Sequence, residues 1–366
     1  MASSRTGEDP AHASAPVTPA IDTDTDTDTD ADAGVGARPR PAPLARLRDP
    51  VRRPAWFADL SMLPALAVLI VVLSVTTDGL LTSSNIINVF SQSTVVAIAA
   101  IGATFVILTG GIDLSTGSVI GASGVAGAWV ITTVHSVPAG IAFALLVGAG
   151  IGALVGLLVA RLPVVPFAVT LAALYVVSGG TTLLSHGRTI APVPAGFIDF
   201  SIDGPGGVPY AVWMTLGLYV CAQIALTRTA WGRRVILLGA SEEVARVNGV
   251  SVGRVKVGVY AVAGLFSALA GVVLTSELAG AGASMGSPLL LNVVGGVVLG
   301  GTSLFGGRGS LLRTATGVLF LGFLSNGMSL LGLASYDQQM VTGALIFLAA
   351  SADGLARWVR PRTAAA

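Results

Sequence analysis

The sequence predicts an all-α fold, a polytopic transmembrane helical bundle of about ten spans, and three observations predict it. Only 11% of the 366 residues are charged, 53% are hydrophobic, and mean hydropathy is +0.81. A soluble domain carries roughly a quarter charged residues, so this chain has too few ionised side chains to cover a surface in water. From Trp56 onward, apolar stretches follow one another with short polar breaks. Finally, many of the 47 glycines sit inside those stretches, and helices in lipid associate through close packing of small residues.

Taken in order, residues 1–55 are a different material. They hold seven Arg and nine acids, with Asp alternating with Thr from Ile21 to Ala33. Alternating carboxylates repel one another and offer no apolar face, which predicts a disordered cytoplasmic N-terminal tail. The first twenty residues lack the continuous apolar run of a signal peptide. The Asp-Thr run lacks the Gly and terminal Glu of a calcium-binding loop.

A transmembrane domain is expected over 56–356, with spans near 60–77, 92–109, 117–134, 139–160, 165–184, 209–227, 256–276, 289–305, 314–333 and 338–353. A bilayer core of roughly 30 Å takes about 20 helical residues. The span 289–305 is short, and 92–109 runs into Gly110 and Gly111, so discontinuous or re-entrant helices are expected there. Gly148, Gly152 and Gly156 recur every fourth residue and mark one helix-packing face. A cytoplasmic C-terminal tail is expected over 357–366.

Basic residues in short loops set orientation. Arg46, Arg48, Arg52 and Arg53 precede the first span, and Arg161 closes the fourth. The loop 228–256 holds Arg228, Arg233, Arg234, Arg246, Arg254 and Lys256; Arg308 and Arg313 follow the eighth span, and Arg357, Arg360 and Arg362 the tenth. With ten spans and both termini cytoplasmic, each cluster falls inside, which predicts a multi-pass protein of the plasma membrane. Only Arg188, in the loop 185–208, falls outside.

Whole function classes are excluded by what the chain lacks. There is no G-x-x-x-x-G-K-[ST], and Lys256 is the sole lysine, so no Walker-type nucleotide site exists here. Cys221 is the single cysteine, and the three histidines, His12, His135 and His186, are far apart in sequence, so neither a metal site nor a bound cofactor is expected. No basic stripe fits a nucleic acid. No nucleophile–base set marks an intramembrane enzyme, and no ladder of buried carboxylates marks a proton-driven pump. A pore of this kind is passive or borrows energy from a partner.

The partner is expected at the loop 228–256. Ser241 before Glu242 and Glu243 reads as a helix N-cap with acids in the first turn, and Gly249 reads as the stop just past the C-terminus. The two-turn helix so defined includes Ala245 and Arg246, with Val244 and Val247 near one face. It is too short to be stable alone and must dock on something. Asp113, among Gly110, Gly111 and Gly117, must face protein or water. It reads either as a gate or pathway residue beside Ser115, or as a carboxylate capping the helix that starts there. Asn326, Ser325 and Ser329 form a polar stripe that reads as interhelical hydrogen bonding or as lining a path. Glu277 falls at the outer end of the seventh span.

Three motifs carry a resemblance to a known family. They are Thr109-Gly-Gly-Ile-Asp-Leu-Ser-Thr-Gly-Ser118, the loop from Trp231-Gly-Arg-Arg through Gly239-Ala-Ser-Glu-Glu-Val-Ala-Arg-Val-Asn-Gly249 to Arg254-Val-Lys256, and Gly300-Gly-Thr-Ser-Leu-Phe-Gly-Gly-Arg-Gly-Ser310 followed by Asn326-Gly327. In this order they resemble the permease subunits of ribose/xylose/galactoside-type ABC importers over about residues 60–355. The resemblance implies a channel of two permease copies or a heterodimer in a lipid bilayer. It also implies ATPase subunits that hold ATP-Mg and dock on the 241–249 segment, and an extracytoplasmic sugar-binding protein. Gly110, Gly111, Gly300, Gly301, Gly306 and Gly307 are the glycines of its motifs. One departure bears on substrate: where the family has E-L-D, this chain reads Leu290-Leu291-Asn292, and Asn292 is placed with the pathway residues. The alternatives are a permease for branched-chain amino acids or nucleosides and, from another class, a stand-alone secondary transporter.

Overall fold

The computed structural model describes residues 62–359, with side chains through residue 351. The tail expected over 1–55, the Arg46–Arg53 cluster, Arg360 and Arg362 lie outside the described residues, as does the side chain of Arg357. The described residues form thirteen α-helices: α1 Leu63–Thr76, α2 Ser83–Leu108, α3 Thr116–Val134, α4 Val137–Arg161, α5 Pro166–Leu184, α6 Ala195–Ile202, α7 Tyr210–Arg228, α8 Ala230–Ala240, α9 Glu242–Val247, α10 Val252–Glu277, α11 Leu290–Leu299, α12 Leu311–Leu330 and α13 Ser335–Val359. The one β-type pairing among them is an isolated bridge between Ile190 and Ala281.

Each of the ten predicted stretches coincides with a helix. Six of them, α2, α3, α4, α5, α7 and α10, are long and apolar enough to cross a membrane. α1 has 14 residues and α11 only ten. α11 stops at Leu299, short of the predicted 305, because Gly301 turns the chain with φ +82°. α13 runs to Val359, three residues into the segment expected as tail.

α2 starts nine residues before the predicted span. Its first turns carry Ser83, Ser84, Asn85, Asn88 and Ser91, which lower the hydropathy without breaking the helix. Thr82 caps it, its Oγ1 accepting from the Asn85 N–H at 3.4 Å, and the Asn85 side chain donates to Leu80 O at 3.0 Å.

α10 sits at the centre, packed against α4, α2 and α3. The Gly148–Gly152–Gly156 face predicted on α4 lies against it. A Cβ at Gly148 would run into Ala268, one at Gly152 into the Tyr260 carbonyl, and one at Gly156 would stand 2.8 Å from Tyr260 Cβ. α2 meets α10 the same way, since a Cβ at Gly102 would lie 2.8 Å from Ala263 Cα. With backbones this close, dispersion contacts hold the helices together where apolar burial gives little in lipid. Several buried polar groups in this core pair across helices, whereas the Ser93 and Tyr260 hydroxyls have no partner. Thr104 and Thr314 share a 2.8 Å hydrogen bond across α2 and α12, and the Tyr219 hydroxyl donates to Ala97 O at 3.0 Å. The Leu311 N–H donates to Gln223 Oε1 at 3.1 Å.

The loop 185–208 folds back over α10. The Ile190 and Ala281 N–H groups exchange hydrogen bonds of 2.9 and 3.0 Å with each other's carbonyls, and the Ser276 hydroxyl donates to Phe197 O at 2.6 Å. Glu277, the last residue of α10, is exposed.

Candidate functional site

The segment between α7 and α10 is built as two short helices. Thr229 starts α8, its Oγ1 accepting from the Gly232 N–H at 3.1 Å. Trp231 packs its ring 5.0 Å from that of Phe105 on α2. Val235 and Leu238 are buried while Arg233 and Arg234 are exposed, so α8 lies with one face on the bundle.

α9 follows with the caps its sequence predicts. Ser241 Oγ accepts from the Val244 N–H at 3.2 Å. At the other end Gly249 adopts φ +74°, its N–H donates to Arg246 O at 2.9 Å, and the Val250 N–H donates to Ala245 O at 3.0 Å. That pair of bonds closes a helix through a left-handed residue, where glycine carries no Cβ penalty. A six-residue helix cannot hold itself, and tertiary contacts supply the rest. Ala245 is fully buried. Glu242 bridges Arg246 at 2.7 Å and Lys256 of α10 at 2.9 Å. The Lys256 hydrogen bond, with Arg246 adding, holds the Glu242 carboxyl below its ordinary value of 4.5 against the opposing effect of partial burial.

The six residues expected to meet a partner therefore divide. Ser241 and Gly249 shape α9, Glu242 and Ala245 seat it, and Glu243 and Arg246 are exposed beside Val244 (47% exposed) and Val247 (84%). Ala245 faces the body and cannot form part of an outer surface. Two exposed valines flanked by one acid and one base form the face left over.

Beneath α9 the glycine motifs converge. The Gly307 N–H donates to Leu108 O at 2.9 Å. A Cβ at Gly306 would stand 2.7 Å from Gly110 N and 2.9 Å from Gly239 O, and one at Gly239 would strike Leu108 O. The end of α2, the end of α8 and the loop 300–310 thus touch backbone to backbone, two residues before Ser241. Of the similar Gly-Gly-x-x-Leu patterns at 110 and 300, only the first places a glycine in this joint. Gly300 packs against α12, where a Cβ would lie 2.9 Å from Thr314 N, and Gly301 only turns the chain.

Beyond the joint the chain from Gly111 to Asp113 is not helical. A Cβ at Gly111 would stand 2.8 Å from the Tyr260 hydroxyl, which is buried with no hydrogen-bond partner. Asp113 is 8% exposed. Its Oδ1 accepts from the Ser115 N–H at 2.8 Å and from the Ser115 hydroxyl at 2.6 Å, and Thr170 of α5 donates to Ile112 O at 3.1 Å. Asp113 thus holds the Ser115 backbone and hydroxyl just ahead of α3, and Ser115, the N-cap, makes no side-chain cap bond of its own.

The polar stripe on α12 is engaged as well. Asn326 and Asn85 exchange amide hydrogen bonds of 2.9 and 3.0 Å. Gln338 of α13 accepts from the Ser325 hydroxyl at 3.1 Å and donates to Ser329 Oγ at 3.1 Å. Asn292 is half-buried in the first turn of α11. The sequence reading missed Asn85, because its helix was started at residue 92; the Asn and Ser spacing ahead of that point was the signal.

Residues 85–350 match the profile of a family described as "Branched-chain amino acid transport system / permease component". The chain belongs to this permease family. The "Ribose import permease protein RbsC" of Escherichia coli is 38% identical over 306 residues, 82% of this chain and 94% of that protein. The protein of the same name from Bacillus subtilis is 38% identical over 79% of this chain and 90% of its own length. The "L-arabinose ABC transporter permease protein AraH" of Azospirillum brasilense is 33% identical over 78% and 84%. No solved structure matches. In this permease one part of each of the three motifs meets at the joint, through Gly110, Gly239, Gly306 and Gly307.

Proposed function

We propose that this permease is the membrane-spanning subunit of an ATP-binding-cassette importer for a monosaccharide, with pentoses the first substrates to test. The observation that carries the reading is the similarity, along about four-fifths of the chain, to proteins named as ribose and L-arabinose permeases. The energy comes from a separate ATPase that binds ATP-Mg, and an extracytoplasmic binding protein delivers the sugar. The exposed face of α9, Glu243, Val244, Arg246 and Val247, meets the ATPase. Its push passes through the joint at Gly239, Gly110 and Gly306 to the Asp113 segment and so to the spans. Two copies, or this chain and a similar one, enclose the pathway.

In this reading the chain crosses ten times, with α6, α8 and α9 outside the count and both termini cytoplasmic. Arg161, the basic residues of 228–256, Arg308 and Arg313 then fall on one side, as cytoplasmic loops require. α11 is about 15 Å long, half a bilayer core, so it reaches its depth only together with the chain before it. The test is a complex of this chain with its ATPase and binding protein in vesicles. Ribose should stimulate ATP hydrolysis and enter, and Glu243→Arg should abolish ATPase association. Uptake of sugar in vesicles without any ATPase would sink the reading in favour of a secondary transporter.

A further inference from the structure

α2 is a 26-residue helix with no ionisable residue, long and apolar enough to span a membrane. Its N-terminal third nevertheless exposes Ser84, Asn88 and Gln92. These recur every four residues, so they lie along one side of the helix over about 12 Å. Asn85, beside them, spends its amide on Leu80 and Asn326. By contrast, neither Asn88 nor Gln92 has a hydrogen-bond partner among the described residues. Hydrocarbon offers a bare amide no partner, and polar residues within spans face a protein interior or a water-filled cavity.

The same side of α2 closes further along. Gly102 stands eighteen residues beyond Ser84, about five full turns, and there the backbone touches Ala263 of α10. This side of α2 is therefore open and polar at its N-terminal end and closed against α10 further in. We propose that Ser84, Asn88 and Gln92 line the outer mouth of the transport pathway and bind a neutral polyhydroxylated substrate as it enters. Amides and a hydroxyl each donate and accept, which suits sugar hydroxyls, and the stripe carries no charge to hold an ion. This rests on the importer reading, in which the N-terminal end of α2 is extracytoplasmic.

The test uses the full complex in vesicles, with Cys221→Ser as background and single variants Asn88→Cys and Gln92→Cys. A charged, membrane-impermeant maleimide should label both from the outer side, and saturating ribose or arabinose, whichever the unmutated complex imports, should slow labelling about tenfold. Val72→Cys, on the exposed apolar face of α1, should stay unlabelled. In a second measurement, Asn88→Leu with Gln92→Leu should lower uptake at subsaturating sugar at least tenfold without lowering the amount of assembled complex. Absence of labelling at 88 and 92 overturns the proposal, since lipid or a second copy then covers the stripe. So does labelling that the imported sugar does not slow. Failure of the importer reading shows separately, as no sugar uptake by the unmutated complex.

Discussion

The two halves of α2 are built on opposite terms. From Thr94 to Leu108 nearly every residue is buried, Gly102 brings the backbone against α10, and the end of the helix is pinned in the joint with Gly239 and Gly307. From Ser83 to Gln92 the helix carries six polar side chains, and one side of it is open. One helix thus combines a rigid inner half, held by backbone contact, with an outer half whose polar groups are partly locked and partly free. The difference teaches where movement can enter: the inner half can only move with its neighbours as a body, and the outer half can respond to a solute.

The largest expected effect lies in the inner half. Gly102→Leu would force a side chain into the Ala263 backbone, and such overpacking costs typically about 1–3 kcal/mol and sometimes more. Here backbone stands in the way, so the variant should fail to accumulate as a monodisperse protein on size-exclusion chromatography. Normal yield would mean the α2–α10 contact is loose and the contrast between halves is wrong. Next comes Asp113 just past that half. As a helix-start acceptor, Asp113→Ala should cost about 0.5–2 kcal/mol, read as a fall in melting temperature, while Asp113→Asn keeps the acceptor and should keep both stability and uptake. Loss of uptake in a stable Asp113→Asn would favour the gate reading.

In the outer half the paired and unpaired amides separate cleanly. Asn85→Ala and Asn326→Ala should each destabilise by about 0.6 kcal/mol, up to about 1.7, with the double variant no worse than Asn85→Ala, which also loses the Leu80 bond, whereas Asn88→Ala should leave the melting temperature unchanged. Equal losses at 85 and 88 would erase the distinction between locked and free groups. The smallest effect is at the α9 surface beyond the inner joint. Because the folded-state pKa of Glu242 is lowered, its ion pairs stabilise above its ordinary pKa and the contribution disappears as pH falls through the lowered value. The melting-temperature gap between wild type and Glu242→Gln should be steady near neutral pH and close as the pH falls below the ordinary carboxylate value of 4.5. A gap that widens on acidification would contradict the Lys256 bridge.

Much of this was legible in the chain itself. The caps of α9 at Ser241 and Gly249, the packing face at Gly148, Gly152 and Gly156, and the break at Gly110–Gly111 all follow from local rules of spacing and backbone conformation. Other features were not legible, for a common reason. Asn326 stayed open between interhelical hydrogen bonding and lining a path because its partner, Asn85, is 241 residues away. Ala245 read as surface because a two-turn helix does not reveal which side its neighbours occupy. α2 was begun too late because hydropathy averages over polar turns that a helix propagates through at no backbone cost.

By itself, the sequence determined the solvent, the helices and the family: hydropathy, helical periodicity and motif order are written in neighbouring residues. Only the tertiary structure decided what the polar residues and the glycines are for. Hydrogen bonds between distant amides and the approach of three backbones at Gly110, Gly239 and Gly306 depend on chain segments far apart in the sequence. No local pattern encodes which of two similar side chains will find its partner.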